Sequence, residues 1–327
     1  MIAAAGRECI QRGVAKPRLI WRGEFMRLVH CQTRRAITIV AVLALVSARA
    51  AFSAQQLSES PVDLVRRTVQ AEIAAGNGDT KAIFKDRKET DHGSQTKLIV
   101  ETREGTAGMT VAINDKWLTL EQRRAEETRL FGLASNPQAL KKKQRSENED
   151  VERTARIMKA LPDAFLYESD GTAIGTQEIG KPSDQLVRLK FRPNPKYSPP
   201  SHVEQVLTGM QGYLLIDAEQ HRIAKIDGTL SKEVGFGWGI LGHLDPGGHF
   251  LVEQAEVVQG DWEPTRMSLS FTGRVLLFKS LNFKSDEVFS NFRPAPSNLS
   301  FAQAVELLKK QEAELAPNRQ PATDRPK

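Results

Sequence analysis

The chain has 327 residues, with 46 Lys/Arg against 40 Asp/Glu and a formal net charge of +6. Residues 1–50 alone hold nine Lys/Arg and two Glu, which leaves 37 basic and 38 acidic residues beyond them. The basic surplus belongs to this leader, and the remainder has no global charge that would recruit nucleic acid. Both cysteines, Cys9 and Cys31, also fall in the leader. That excludes a disulfide framework, a thiolate nucleophile and cysteine metal ligation from the rest of the chain.

Within the leader, Arg34-Arg35 precede the apolar run Ala36–Val46, and small residues follow. A basic region, a short apolar core and a small-residue end are the layout of a secretory signal. The small residues place cleavage after Ala50 or after Ser53, and a start at Met26 gives a leader of ordinary length. Residues 1–50 are therefore expected to be a cleaved export signal and the product periplasmic or secreted. The apolar run is well short of the roughly 20 residues that span a bilayer, so no integral membrane protein is expected. Cys31 lies before that run and cannot be a lipid-bearing cysteine.

Ser60-Pro61 offers a cap and a first-turn proline, and Val62, Val65, Val69 and Ile73 recur at helical spacing until Gly76-Asn77-Gly78. Lys81 to Asp91 and Gln95 to Arg103 flank a polar Gly-containing turn and predict a hairpin. Met109 to Ile113 is a third extended run. Lys85, Asp86, Arg87, Lys88 and Glu89 make one face of this small sheet polar. Thr119-Leu120-Glu121-Gln122 has capping-box spacing and opens a charged helix, which Asn136-Pro137 interrupts and restarts as a second one reaching Leu161-Pro162. The lysines 141–143 are followed at once by acidic residues, which favours a solvated helix face over a polyanion contact.

From Ala164 the chain returns to extended runs. Ala164–Tyr167 and Leu186–Phe191 come first, followed by a proline-rich connection over 194–200. Met210 to Asp217, Arg222 to Leu230, Val234 to Leu241, Phe250 to Val258, Thr265 to Phe271 and Val275 to Phe283 then follow one another through short turns. Short joints make neighbouring strands antiparallel, so this is a meander. Ser300-x-x-Gln303 caps a last helix carrying Phe301, Val305 and Leu308. The fold class is α+β, a curved antiparallel meander forming an incomplete β-barrel covered by helices. One domain is expected over 58–312, with a disordered tail over 313–327.

Phosphate-loop, dinucleotide, zinc-protease and nucleophile-elbow motifs are absent from the sequence. His243, Asp245 and His249 surround the Asp245-Pro246-Gly247-Gly248 turn. They are weak metal candidates, outweighed by the plainer reading of two hairpin histidines around a solvated turn, and no cofactor is expected. The stretch Val234-Gly235-Phe236-Gly237-Trp238-Gly239-Ile240 alternates bulky and bare positions. As a strand it would pack one face and bring another group close to the other. With Trp117, Phe250, Trp262 and Phe271, the residues Phe236, Trp238 and Ile240 form a candidate lining for an apolar ligand; plain core is the alternative.

In element order, export signal and the Val234–Ile240 segment, residues 60 to 310 resemble the periplasmic lipoprotein localisation factor superfamily, the lipoprotein carrier and its outer-membrane receptor. That resemblance implies an incomplete barrel under helices and an apolar cavity for acyl chains. This chain differs in its long charged helical pair and in lacking a lipidated cysteine. The expected function is non-enzymatic binding of a lipid, an acyl chain or another hydrophobic small molecule, without nucleic acid. A protein-interaction or sensor module of the envelope, with a protein partner, is the alternative, and an envelope hydrolase a third.

Overall fold

The computed structural model describes residues 59–76, 80–236, 242–258, 260–275 and 279–315. The expected export signal and residues 316–327 lie outside them, as do Trp238 and Ile240. Ser60 caps the first described helix, its Oγ accepting the Asp63 amide at 3.2 Å, and α1 runs Pro61–Gly76. Leu64, Val65, Thr68 and Val69 form its buried stripe.

The strands are β1 (Ala82–Thr90), β2 (Gly93–Thr102), β3 (Gly105–Ile113) and the two-residue β4 (Lys116–Trp117). Two helices follow, α2 (Leu120–Ala134) and α3 (Pro137–Ala164), then β5 (Phe165–Ile174) and β6 (Gln185–Pro193). A short helix α4 (His202–Gln205) and a 3-10 turn (Val206–Gly209) lead into β7 (Met210–Asp217), β8 (Arg222–Leu230), β9 (Val234–Phe236) and β10 (Gly242–Leu244). The chain ends with β11 (His249–Val258), β12 (Asp261–Val275), β13 (Lys279–Pro294) and α5 (Phe301–Leu315). The thirteen strands form one antiparallel sheet in the order β4-β3-β2-β1-β13-β12-β11-β8-β7-β6-β5, with β10 added to β12 and β9 to β10. The sheet is curved and does not close, so the α+β half-barrel is the observed architecture.

The caps form as their sequences dictate. Thr119 and Gln122 make a reciprocal capping box, Asn136 caps α3 over Pro137, and Ser300 exchanges bonds with Gln303 ahead of α5. The helix α3 continues through Pro162, which sits in its last turn. Its terminal carbonyls are met from outside the helix. Tyr167 Oη donates to Leu161 O at 2.7 Å, Asn194 Nδ2 to Asp163 O at 2.8 Å, and the Asn194 amide to Ala164 O. These bonds replace what the helix end lacks. At the C-terminus α5 runs to Leu315, so the first three residues of the expected tail are helical.

Directly paired residues of neighbouring strands point to the same face. Tracing one row, Leu98 pairs with Lys85, and its row neighbour Arg87 continues through Val288, Arg266, Glu253 and Lys225 to Leu215. Leu98 lies in a buried cluster with Val100, Met109, Leu130, Phe301 and Leu308, under α2 and α5. Leu214, adjacent to Leu215 and hence on the opposite face, lies in another cluster with Val65, Val69, Leu161, Phe191 and Ile216, under α1 and the end of α3. The two helical layers therefore cover opposite faces of one sheet, at opposite ends of the strand order. We refer to these as the α1 face and the α5 face.

At 28 residues, α3 is about 42 Å long, and it connects these ends. Its first half meets β3 and its last half meets α1 and runs into β5, which places it between the two edge regions that no strand joins. Residues 148–154 between these contacts are all exposed.

Of the expected strand Val234 to Leu241, the structure describes Val234–Phe236, where Phe236 pairs with Gly242 and Val234 with Leu244 in antiparallel register. The rest of that expected strand, residues 237–241, lies outside the described residues. Val234 and Phe236 share the α1 face with Leu244, while Gly235 pairs with His243 on the other.

Candidate functional site

Two rows build the α1 face beyond its helix. One runs Phe191, Gly212, Gly228, Phe250, Leu269, Ser285 and the next Leu189, Leu214, Ile226, Val252, Met267, Glu287. Their β6–β8 members pack beneath α1. Beyond Phe250 the rows pass out of that cover, and Val252, Met267, Leu269 and Phe271 are half-buried and belong to none of the three buried clusters. Phe271 pairs across strands with Phe283, which is 43% exposed. The core of α1 thus continues sideways into an apolar shelf made of β11, β12 and β13.

Glycines set its floor at two places. A Cβ on Gly228 would stand 2.8 Å from Met210 Cε and 3.3 Å from Phe191 Cζ, so these side chains lie flat over the strand. A Cβ on Gly248 would meet the Phe271 ring at 2.4 Å, which seats that ring against the turn before β11. The far border is polar. Glu287 pairs with Lys88, and Asp86 on the same face has its pKa raised by burial first and by Glu287 next.

The expected lining is only partly assembled. Phe236 and Phe250 pack against the α1 cluster and Phe271 extends the same face. Trp117 sits on the edge strand β4, 49% exposed, and does not join them. Trp262 is buried in a separate cluster with Leu186, Leu215 and Ala224. Its Nε1 donates to Gln220 Oε1 at 2.8 Å, with the Arg222 guanidinium 5.6 Å from its ring. The single aromatic cavity running from Trp117 to Trp262 is therefore corrected to a smaller group, because β4 is an edge strand and Trp262 is held in another cluster. Val252, Met267 and Leu269 were not among the candidates. Their signal was the Met267/Leu269/Phe271 alternation, which marked a buried face without distinguishing core from shelf.

The turn histidines separate. His243 Nε2 lies 3.3 Å from Asp245 Oδ1, whereas His249 Nε2 lies 3.0 Å from Asp227 Oδ1 on β8. No group of three His, Cys, Asp or Glu placed to hold a metal occurs among the described residues. Across β5–β8 the α5 face carries an open groove of about 740 Å³ lined by Arg188, Lys190, Tyr213 and Asp227 among others. Several of its charges are paired: Asp170 with Arg188 and Lys190, and Asp227 with His249. Lys190 and Arg188 hold the Asp170 carboxyl below the usual carboxylate range, and Tyr213 lies between the Arg188 guanidinium at 4.1 Å and Lys225 at 5.7 Å. At the start of β12, burial and then the nearby Glu101 and Asp261 push Glu263 up to about 7, with Arg222 and Lys81 opposing.

No protein family matches this chain, and no curated protein sequence does.

Proposed function

We propose that the chain is an exported, non-enzymatic protein that shelters a lipid acyl chain or similar apolar molecule on the α1 face of its half-barrel. The leader sequence supports export, and the element order supports kinship with the lipoprotein localisation factors. The observation that carries the binding role is the shelf itself: Val252, Met267, Leu269, Phe271 and Phe283 continue a buried core on the same face without joining it. Apolar surface of this kind, contiguous and bordered by charge, marks a binding site more often than a scattered exposed side chain does.

Magnitudes bound the affinity. Burying a methylene is worth about 0.8 kcal/mol, so a dozen methylenes half covered by one wall supply about 5 kcal/mol. That corresponds to a dissociation constant on the order of 0.1 mM. Mass spectrometry of lipids extracted from protein purified from its native compartment tests the reading. A stoichiometric apolar ligand supports it, and protein free of any such ligand that also fails to take up an acyl probe refutes it.

A further inference from the structure

The two ends of the main strand order, β5 and β3–β4, are protected by different means. On β5 the protection is in the strand. Its register slips between Ser169 and Thr172, Gly171 takes φ +88°, and Glu168 and Asp170 bring charge to the edge. Bulges and charges are the usual defences against strand addition. By contrast β3, with the sequence Gly-Thr-Ala-Gly-Met-Thr-Val-Ala-Ile, has no charge and no proline. It is short of defences of its own, and β4 covers only Ala112 and Ile113.

The Leu118 amide donates to Val111 O at 3.0 Å, and side chains from the helical pair occupy the edge over Thr106–Thr110. The Thr106 amide donates to Glu147 Oε2 at 3.1 Å, Gly108 O accepts from Arg129 Nη2 at 2.9 Å, and the Thr110 amide donates to Glu126 Oε1 at 2.7 Å. Residues 106, 108 and 110 are the alternate positions whose backbone groups face outward from an antiparallel edge. The helices thus present acceptor, donor, acceptor at strand spacing, in place of a neighbouring strand. The apolar hold of α2 is thin, since it buries only Leu130 fully, and α3 is anchored at its far end by Leu161, Pro162 and Ala164.

We propose that the α2–α3 pair is an edge guard, and that β3 without it is a self-complementary surface at which a second copy of this chain adds strand to strand. A second β3 is the occupant that fits, because two uncharged strands pair antiparallel with no like charges opposed. Uncharged, proline-free strands of this kind are those that pair edge to edge when exposed.

The test uses the full mature chain carrying Glu126→Ala, Arg129→Ala and Glu147→Ala, examined by sedimentation velocity. The expected result is a doubling of mass, reversed to monomer when Thr106→Pro and Thr110→Pro are added, since proline removes the outward amides and is tolerated at an edge. A folded triple variant that stays monomeric overturns the proposal, as does a dimer that the prolines do not dissolve. Hydrogen exchange on the unaltered protein guards against a variant that fails to fold. The Thr106 and Thr110 amides are expected to exchange at least tenfold faster than the β2-bonded amides of the same strand, and exchange only by global unfolding overturns the proposal equally.

Discussion

Glu126 Oε1 accepts the Thr110 amide at 2.7 Å while the same carboxylate takes two bonds from Arg129, at 2.7 and 2.8 Å. The pair joins α2 to β3 through a fully engaged carboxylate. Burial works against its ionised form, but Arg129 and the Thr110 amide outweigh burial, and its pKa lies below the usual value. A carboxylate with a depressed folded pKa contributes stability that is present above the unfolded value and lost as pH falls through the folded one. Glu126→Ala is expected to lower unfolding free energy by about 1–3 kcal/mol near neutral pH. Urea titrations of both proteins should converge in acid, below the carboxylate range.

Adjacent residues on α2 should respond oppositely to truncation. Leu130 is 1% exposed and Phe131 69% exposed. Leu130→Ala is expected to cost about 2–4 kcal/mol through lost burial and a cavity. Phe131→Ala should stay within about 0.5 kcal/mol. Thermal unfolding of the two variants checks the orientation of the helix.

Two glycine replacements make a second contrast. A Cβ on Gly212 would stand 1.9 Å from Asp227 O and 2.8 Å from Gly228 Cα, which are backbone atoms of the paired strand. Gly212→Ala is therefore expected to cost about 2 kcal/mol or more, since β7 must shift off β8. Gly132, in α2, meets nothing within 4 Å, and Gly132→Ala should stabilise by about 0.5–1 kcal/mol. Equal effects from the two would contradict the packing described for β7 and β8.

Glu263 gives the pH dependence the opposite sign. With its folded pKa pushed up to about 7, the native state binds more protons than the unfolded chain between the ordinary carboxylate value and that pH. Stability is lost as pH rises through this window. Glu263→Gln removes the buried charge and is expected to stabilise the protein by about 1–3 kcal/mol in mild alkali, with little effect in mild acid. Chemical denaturation on both sides of the window measures it.

Much of the fold was legible from local chemistry. The bounds of β7 and β8 coincide with the predicted runs because Asp217 starts the turn between them, its Oδ1 accepting the Glu219 and Gln220 amides. Both capping boxes formed because their donors and acceptors are three residues apart. Faces were not legible, because bulges alter the parity that periodicity assumes. The register shift at Leu215/Ile216 is an example: Lys225 is the direct partner of Leu215, yet its neighbour Ala224 shares a cluster with Leu215, and Ile223 joins Ile216 on the other face. Nor was the edge cover, since Glu147 reaches Thr106 from 41 residues away. The candidate site was half visible for the same reasons. Phe250 and Phe271 lie on the shelf face, whereas Trp117 and Trp262 are set by edge position and by a separate cluster.

The most direct test of the apolar shelf is a fluorescence titration of the protein with a fatty-acyl probe, comparing Leu269→Asp and Phe271→Asp with Ser270→Asp. Register places Leu269 and Phe271 on the α1 face and Ser270 between them on the other. Each variant is first shown to be folded by circular dichroism. The expected result is at least a tenfold loss of affinity for Leu269→Asp and Phe271→Asp, with Ser270→Asp unchanged. Unaltered affinity in all three folded variants, or a probe that never binds the parent protein, would contradict the account.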